Sequence, residues 1–473
     1  MFNESIWEEV WEDMRELNSL MDMQIVLPDF VAKAIDTLEC NGFEAYLVGG
    51  CVRDGLTGVP PKDWDITTNA LPDQILSVFL EYKTLTHGIK YGTVTVLIDG
   101  MPLEITTYRI DGQYTDHRRP DSVQHTMELY EDLRRRDFTV NALAFNPRTG
   151  IIDLFDGNED LWRGEIRCVG SARERFNEDA LRIFRALRFA SVLGFEIEAK
   201  TAAAVDAQRE SLKVIAAERI CAELTKMLCG KGIRQILYRY RETIAIVIPE
   251  IIPMVGFEQK IQAHALDVWG HTVESAAAID PIPELRMAML LHDVAKPQCF
   301  TVDETGRGHF YGHEQLGAEM AGEILNRLRF DKRFIKTVQL MIACHKEQPP
   351  EDAVQIKEFL RNHGEHNTRL ILQVMKADVR GRMKEVEKPI QKLEAIERRL
   401  NDIIENKECY SFETLKIDGN GLLQMGFPTG ERVGHVLNTL LDHVIKGTCI
   451  NDGAALAAEA KEIFKEHGSG TEV

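Results

Sequence analysis

The sequence predicts an α+β fold in which a mixed α/β region comes first and a helical region follows it. Three observations predict this order. Strand-like and helix-like patterns alternate between residues 25 and 165, and apolar residues recur at three- and four-residue steps after about residue 170. Gly/Pro-rich breaks near 249–256 and 425–430 interrupt the helical part. The 473 residues are enough for two to four domains.

The first region contains clear strand and helix patterns. Strands are predicted for "AYLVGG", "GTVTVLIDG" and "LEITTYRI", because these runs are rich in β-branched and aromatic residues. "PDQILSVF" predicts a helix that Pro72 and Asp73 open. The polar run "RIDGQYTDHRRPDSV" (109–123) predicts a mobile loop. We therefore expect an acidic helix at 1–24 and an α/β domain at 25–168.

The second region is predicted to be all α. "EDALRIFRALRFASVLGF" and "AGEILNRLRFDKRFIKTVQLMIACH" place apolar residues on one face of a helix. We expect a helical neck at 169–248, a further helical domain at 249–390 and a helical body and tail at 391–473.

Composition narrows the class of protein. The chain is 44% hydrophobic, no apolar run is long enough for a membrane span, and the N-terminus lacks a secretory signal pattern. Nine cysteines without a CxxC pair suit a reducing cytoplasm. The net charge of −19 argues against a nucleic-acid partner, yet arginines concentrate between residues 134 and 188. That cluster predicts either one basic groove or an ordinary solvated charged face.

Two aspartates in "LVGGCVRDGLTGVPPKDWDITT" (47–68) predict a metal site. Asp63 and Asp65 are two residues apart, so on a strand they would point to the same face. Paired carboxylates can share hard divalent cations such as Mg²⁺, and Glu104 on a later strand is a candidate third ligand. Two ions held in this way can activate a hydroxyl and stabilise a leaving oxygen at phosphorus.

The residues ahead of the aspartates predict a triphosphate site. Gly49 and Gly50 allow the backbone to approach a phosphate closely, and Arg53 can neutralise its charge.

This stretch closely resembles the signature of class II tRNA nucleotidyltransferases, which are the CCA-adding enzymes and their bacterial poly(A) polymerase relatives. The resemblance continues in "RRRDFTVNALAFNP", "IIDLFDG" and "EDALRIFRALRFA", and it covers at least residues 40–230. It implies a DNA polymerase beta-like head in which Asp63 and Asp65 bind Mg²⁺. Asn141 would have a supporting role, and the positions that match nucleotide contacts are Gly50, Arg53, Arg136, Asp179, Arg182, Arg185 and Arg188.

The motif "EDALR" also suggests how cytosine and adenine could be selected. Both bases present an amino donor beside a ring-nitrogen acceptor, whereas uracil and guanine present a carbonyl beside an N–H. Asp179 could accept from the amino group while Arg182, three residues on along a predicted helix, donates to the ring nitrogen. Arg185 and Arg188 would then orient this pair or contact phosphate. Surface ion pairs on a helix are the alternative interpretation.

A second set of motifs lies in the helical part. "HALDVWGHTVES", "MLLHDVAKP", "FYGHEQLGAEM", "LMIACHKEQ" and "MKADVRGR" resemble an HD-type metal phosphohydrolase domain over about 260–385. The resemblance implies a metal set of His271, His292, Asp293 and Asp378, with His264, His313 and His345 nearby. A transition metal or Mg²⁺ would suit these ligands.

One departure from the HD pattern bears on its chemistry. Lys346 follows His345, where related sequences often carry an acid, which argues against a second metal ion. An active site would hydrolyse phosphate esters, for instance 2′,3′-cyclic or 3′-phosphate RNA ends. The alternative is a domain kept for helix packing or RNA shape.

The resemblances together predict template-independent addition of CCA to the 3′ end of tRNA from CTP and ATP. Alternatives are A-only addition, and an HD phosphohydrolase or RNA-binding protein with an inactive head. The expected partners are tRNA, CTP and ATP, without a membrane, in a cytoplasmic monomer or homodimer.

Overall fold

The computed structural model describes residues 25–112, 122–260, 266–427 and 429–468. The predicted helix at 1–24, most of the predicted loop at 109–123 and His264 lie outside these ranges. The described chain divides into two compact units, with the boundary after Gly232. This boundary falls inside the predicted neck, and the finer division into domains stays a prediction.

The first unit contains one large sheet and two short strand pairs. Its strands are β1 Ala45–Val48, β2 Asp65–Thr68, β3 Lys83–Leu85, β4 Thr93–Ile98, β5 Met101–Thr107, β6 Arg109–Asp111, β7 Val123–His125, β8 Leu143–Asn146, β9 Gly150–Asp153, β10 Glu165–Ile166 and β11 Glu196–Ile197. The short pairs are β6 with β7 and β10 with β11. The strands predicted at "AYLVGG", "GTVTVLIDG" and "LEITTYRI" are therefore confirmed.

The other seven strands form the main sheet, in the order β3-β4-β5-β2-β1-β8-β9. All neighbouring strands in this sheet are antiparallel except β2 and β5, which run parallel. In β4, buried and partly exposed residues alternate, as expected for a strand with one face in the core.

Helices pack around the main sheet and follow it. They are α1 Asp29–Cys40, α2 Gly50–Leu56, α3 Pro72–Val78, α4 Leu129–Arg134, α5 Gly157–Arg163, α6 Ala172–Glu178, α7 Leu181–Leu193, α8 Ala199–Gln208 and α9 Ala217–Leu228. The helix α3 confirms the prediction for "PDQILSVF". The helix α1 buries Val31, Ala34, Ile35 and Leu38, which lie on one helical face.

The second unit is helical apart from one short antiparallel pair, β12 Thr301–Val302 with β13 Gly308–His309. Its helices are α10 Ile233–Arg239, α11 Arg241–Ala245, α12 Val268–Ala278, α13 Pro283–Leu291, α14 His313–Arg327, α15 Lys332–Cys344, α16 Ala353–Gly381, α17 Glu387–Glu405, α18 Gly419–Gln424, α19 Glu431–Ile445 and α20 Gly453–Gly468. Every residue of α13 from Leu285 to Leu291 is buried, so this helix is a core helix of the second unit.

Two predicted continuous helices are each broken in the structure. The first break separates α6 from α7 at Asp179, whose backbone is extended. The second separates α14 from α15, where Arg329 has a positive φ of 64° and Asp331 caps α15 by accepting from the backbone amides of Arg333 and Phe334. Apolar periodicity continues across both breaks, so it could not reveal them.

The described residues contain no helix with both the length and the apolar character that a membrane crossing requires.

Candidate functional site

Asp65 and Glu104 are brought together by the one parallel pairing in the main sheet. Asp65 is the first residue of β2, and its Cα partner on β5 is Glu104. Asp63 lies in an exposed bend before β2, so the prediction that it belongs to the strand is wrong. The chain approaches through Pro60 and Pro61, which cannot donate to a strand ladder. We call Asp63, Asp65 and Glu104 the strand site.

The strand site disfavours a negative charge on Asp65. Burial, followed by repulsion from Glu104, raises the pKa of Asp65 to about 6, and Asp63 adds to this effect while Arg136 opposes it. In the described residues, the groups of three ligand atoms within 4.8 Å of one another do not include these carboxylates. The oxygens suit a hard cation, but they are not gathered around one point.

Gly49 and Arg136 form the corner between β1 and α2. Gly49 has a φ of 77°, which favours glycine, and a Cβ added there would lie 3.3 Å from Nη1 of Arg136. Arg136 is anchored through its Nη2, which lies 3.2 Å from Oδ2 of the buried Asp132. Gly50 begins α2 directly after this corner. A tight backbone turn and a fixed guanidinium are thus placed beside the strand site.

A chain of hydrogen bonds connects the arginine of α2 with α7. Nη1 of Arg53 donates to Oδ1 of Asn141 at 2.6 Å, and Nδ2 of Asn141 donates to Oδ1 of Asp137 at 3.1 Å. Nε of Arg185 donates to the other oxygen of Asp137 at 2.8 Å. Burial opposes the charge on Asp137, but Arg185 and Arg182 outweigh it and lower the pKa of Asp137. The predicted residues Arg53, Asn141 and Arg185 therefore belong to one network.

The side chains of Asp179 and Arg182 are held by different partners. Asp179 forms a two-pronged ion pair with Arg219, at 2.6 and 3.2 Å, and accepts from the Leu181 backbone amide. Arg182 donates to Glu178 and to main-chain carbonyls. The prediction that Asp179 and Arg182 share one helix is wrong, because the extended backbone at Asp179 ends α6 before α7 begins.

Arg188 lies farther along α7 and contacts different groups. Its guanidinium carbon is 3.5 Å from the centre of the Phe189 ring, and its Nε donates to Glu223 at 2.8 Å. Glu223 on α9 also lies 3.6 Å from Arg185. In this structure, Arg188 is therefore held by an aromatic ring and a carboxylate.

Sequence reasoning missed the residues whose side chains bind those of the predicted site residues. Asp137 stands inside the motif "RRRDFTVNALAFNP" and could have been found there. Arg219 lies 40 residues from Asp179, and Glu223 lies 35 residues from Arg188. Both are on α9 and carry no local signal.

The second unit contains a buried group of histidines and aspartates. His271, His292, Asp293 and Asp378 each offer a ligand atom, and these atoms all lie within 4.8 Å of one another. Nε2 of His292 is 3.1 Å from Oδ2 of Asp293 and 3.2 Å from Nε2 of His271, which is itself 3.2 Å from Oδ1 of Asp378. The structure thus brings together all four residues of the predicted HD metal set.

Asp293 also belongs to a second group, with His313 and His345. Their Nε2 atoms lie 3.5 and 3.8 Å from Oδ1 of Asp293, while their Nδ1 atoms donate to the carbonyls of Phe310 and Ile342. Burial lowers the pKa of His345 to about 4, so its imidazole is neutral and Nε2 carries a lone pair. We call the two groups together the His–Asp cluster.

The same orientation recurs at His292, whose Nδ1 bonds the carbonyl of Met289 at 2.8 Å. A backbone partner on Nδ1 is the usual way in which proteins aim Nε2 at a metal ion. Burial opposes a charge on His292, but Asp293 and Asp378 outweigh it and raise the pKa of His292 to about 9. Either a proton or a divalent ion could lie between Nε2 of His292 and the carboxylates of Asp293 and Asp378.

Three cationic side chains contact the carboxylates of the His–Asp cluster. Nζ of Lys296 is 2.7 Å from Asp293, Nζ of Lys346 is 2.9 Å from both oxygens of Asp378, and Nη2 of Arg382 is 2.7 Å from Oδ2 of Asp378. Lys346 therefore neutralises the charge of Asp378 directly. The second group, which Asp293 forms with His313 and His345, is nevertheless assembled in the structure.

Close packing of α12 and α16 fixes His271 in this position. A Cβ at Gly381 would lie 1.9 Å from Oγ of Ser275 and 3.0 Å from Nδ1 of His271, so a larger residue there would force the helices apart.

Comparisons with known proteins match most of the chain. Residues 45–167 match the Poly A polymerase head domain, 194–253 the RNA and SrmB-binding site of polymerase A, and 313–460 the tRNA nucleotidyltransferase domain 2. The CCA-adding enzyme of Ligilactobacillus salivarius is 34% identical over 447 residues, which is 93% of this chain and 98% of that protein. The CCA-adding enzyme of Leuconostoc mesenteroides is 34% identical over 91% of this chain and 95% of its own.

Solved structures are also similar. The crystal structure of the Bacillus stearothermophilus CCA-adding enzyme in complex with CTP has a TM-score of 0.70 and 28% identity, and covers 94% of this chain and 100% of that chain. The Thermotoga maritima CCA-adding enzyme complexed with tRNA has a TM-score of 0.55 at 20% identity, over 93% and 97% of the two chains, and supports the fold alone.

Proposed function

This chain belongs to the family of CCA-adding tRNA nucleotidyltransferases, and we propose that it adds CCA to the 3′ end of tRNA from CTP and ATP. The observation that carries the proposal is the strand site beside a glycine corner and two fixed arginines. A triphosphate could approach the backbone at Gly49 while Arg53 and Arg136 balance its charge. The tRNA 3′-hydroxyl would attack the α-phosphorus, and pyrophosphate would leave.

The strand site is proposed to hold Mg²⁺ through Asp63, Asp65 and Glu104. The chemistry fits, because the raised pKa of Asp65 comes from burial and from neighbouring carboxylates whose repulsion a divalent cation would remove. Mg²⁺ would supply charge neutralisation at phosphorus. Asp65, as the most buried of the three, would fix the position of the ion, while Asp63 would reach it from the exposed bend before β2.

The base of the incoming nucleotide is proposed to meet Asp179 and Arg182 after a rearrangement. Arg219, which donates to both carboxylate oxygens of Asp179, would need to hold Asp179 facing the base. Arg182 would need to turn from Glu178 and the carbonyls that it now contacts. Arg185 and Arg188 are proposed to support this surface and not to contact the base.

The test is incubation of the full chain with tRNA that lacks its 3′ end, with CTP and ATP singly and together. Sequencing of the products should show CC with CTP alone and CCA with both. Addition of A only, independent of CTP, would favour an A-adding enzyme or a poly(A) polymerase. No addition with Mg²⁺ present would favour an inactive head. The cytoplasmic location and the oligomeric state stay predictions.

A second function, metal-dependent hydrolysis of phosphate esters, is favoured by the His–Asp cluster. The specific observation is that three buried imidazoles, each with Nδ1 on a carbonyl, aim Nε2 at one carboxylate. Two neutral nitrogen lone pairs facing a carboxylate are unfavourable unless a cation lies between them. Transition metals or Mg²⁺ suit this donor set, and a bound ion would supply an activated water.

Metal analysis of the purified protein tests the second function first. Activity on 2′,3′-cyclic and 3′-phosphate RNA ends should then be measured with Mn²⁺, Ni²⁺ and Mg²⁺. If neither bound metal nor activity is found, the domain is a scaffold.

A further inference from the structure

We propose that Cys344, Glu347 and His363 form a separate zinc-binding site outside the His–Asp cluster. One ligand atom from each residue lies within 4.8 Å of the other two. Thiolate, imidazole and carboxylate are all zinc ligands, and the thiolate disfavours Mg²⁺. Bonds of about 2.0–2.3 Å to zinc would require these side chains to approach one another by roughly 1 Å.

The backbone holds the first two ligands on one turn. The amide of Glu347 donates to the carbonyl of Cys344 at 3.0 Å, at the end of α15.

The third ligand comes from α16. Nε2 of His363 lies 3.8 Å from Oε2 of Glu347, and the ring of Phe359 packs against the imidazole at a centroid distance of 4.5 Å. His363 directly precedes the kink at Gly364, which has a φ of 74°. The kink gives the helical segment that carries His363 a different direction from the segment after Gly364.

The site has an open side. Glu347 and His363 both line a cavity of about 480 Å³, together with Gln348, Phe359 and Asn362. Three protein ligands and a position that water or a small ligand can reach are typical of an exchangeable zinc site, not of a closed structural one.

The position of this site gives it a mechanical consequence. His345 and Lys346 lie between Cys344 and Glu347 in the chain, and they reach Asp293 and Asp378 of the His–Asp cluster. An ion bound by Cys344 and Glu347 would stiffen the turn that carries both of these residues.

Cobalt spectroscopy on the reduced full chain tests the proposal. Co²⁺ bound by a thiolate gives a near-ultraviolet charge-transfer band, whereas Co²⁺ in the His–Asp cluster, which has no thiol, does not. We expect this band in the natural protein and its loss in Cys344→Ser. We expect a clear decrease in His363→Ala, a partly exposed position at which misfolding is a smaller risk.

Cys299→Ser is the matched control. Cys299 is a partly exposed cysteine of the same unit, and among the described residues it belongs to none of the ligand groups. The control should keep the band, and addition of Zn²⁺ should bleach it. The proposal is overturned if no band forms, if the band survives Cys344→Ser, or if it is unchanged in His363→Ala.

Discussion

The strand site and the His–Asp cluster hold their carboxylates in opposite environments. Asp63 and Glu104 are exposed, whereas Asp293 and Asp378 are 0% and 2% exposed. In the strand site, burial and then repulsion from Glu104 raise the pKa of Asp65. In the His–Asp cluster, lysine, arginine and histidine side chains surround the carboxylates.

This contrast indicates how each site would acquire its metal. An open set of like charges gains most when a nucleotide and its cation arrive together, so its geometry can be completed by the substrate. A buried set must be arranged in advance, because unpaired charges cannot remain in the interior. Each half of the contrast can be tested by mutation.

Removing one carboxylate of the strand site should abolish nucleotide addition. Asp65→Ala or Asp63→Ala should lower kcat by about a thousandfold or more, equivalent to about 4 kcal/mol of lost transition-state stabilisation. Incorporation of labelled CMP and AMP measures the rate, and filter binding should show unchanged tRNA affinity. The control Asp73→Ala alters an exposed aspartate at the start of α3 and should be neutral. Near-normal turnover in either variant contradicts the assignment.

Disabling the His–Asp cluster should leave the first activity intact. His292→Ala combined with Asp293→Ala should remove bound metal and lower phosphate-ester hydrolysis by about a hundredfold or more, because metal ligands matter at least as much as their supporting partners. CCA addition should remain within about threefold, since no strand-site residue is altered. His309→Ala, in the same unit but in neither group of the cluster, is the control. Equal loss of both activities would show that the sites are not separable.

The contrast in charge balance predicts a large change in stability at Asp378. Asp378→Asn should lower the free energy of unfolding by about 3 kcal/mol, because Lys346 and Arg382 lose a buried partner. Chemical denaturation in EDTA measures this effect. The exposed Asp402, whose contact with Arg399 is 3.9 Å, gives the control Asp402→Asn, which should change stability by under about 0.5 kcal/mol. Equal effects would mean that the buried pairing does not stabilise the fold.

Arg219 should act as a positioning residue for Asp179. Asp179→Ala should lower the preference for CTP and ATP over UTP and GTP by about ten- to a hundredfold, since a charged hydrogen bond contributes roughly 1.5–3 kcal/mol. Arg219→Ala should have a smaller effect in the same direction, and Arg219→Lys should restore part of it. Lys226→Ala, which alters an exposed residue of α9, should leave NTP choice unchanged. An unchanged preference in Asp179→Ala would exclude it from base selection.

The smallest effect should be a gain in stability at the strand site. The folded-state pKa of Asp65 is about 6, above its ordinary value of 3.8, so the folded state binds the proton more tightly and stability falls as pH rises from about 4 to 6. At pH 8 in EDTA, Asp65→Asn should stabilise the protein by about 1–2 kcal/mol, and this gain should vanish below about pH 4. Mg²⁺ should raise the melting temperature of the natural protein but not of the variant. A destabilised Asp65→Asn would contradict the raised pKa of Asp65.

Local pattern in the sequence predicted much of the fold. The runs around 45–48, 72–78, 93–98 and 101–107 form the predicted elements, because alternation and helical periodicity depend on neighbours in the chain. The helix breaks at Asp179 and Arg329 were not predicted. They depend on backbone conformation at single residues, and apolar spacing does not report it.

Short motifs in the chain also singled out residues that the structure gathers in the His–Asp cluster, because each motif has its own chemical character. Their role as metal ligands stays a prediction. How these and other residues pair was settled by packing. Lys346 lies on Asp378, which is 32 residues away, and Arg219 lies on Asp179, which is 40 residues away. Such partners stand on separate elements, and tertiary packing selects each contact among many that the sequence allows.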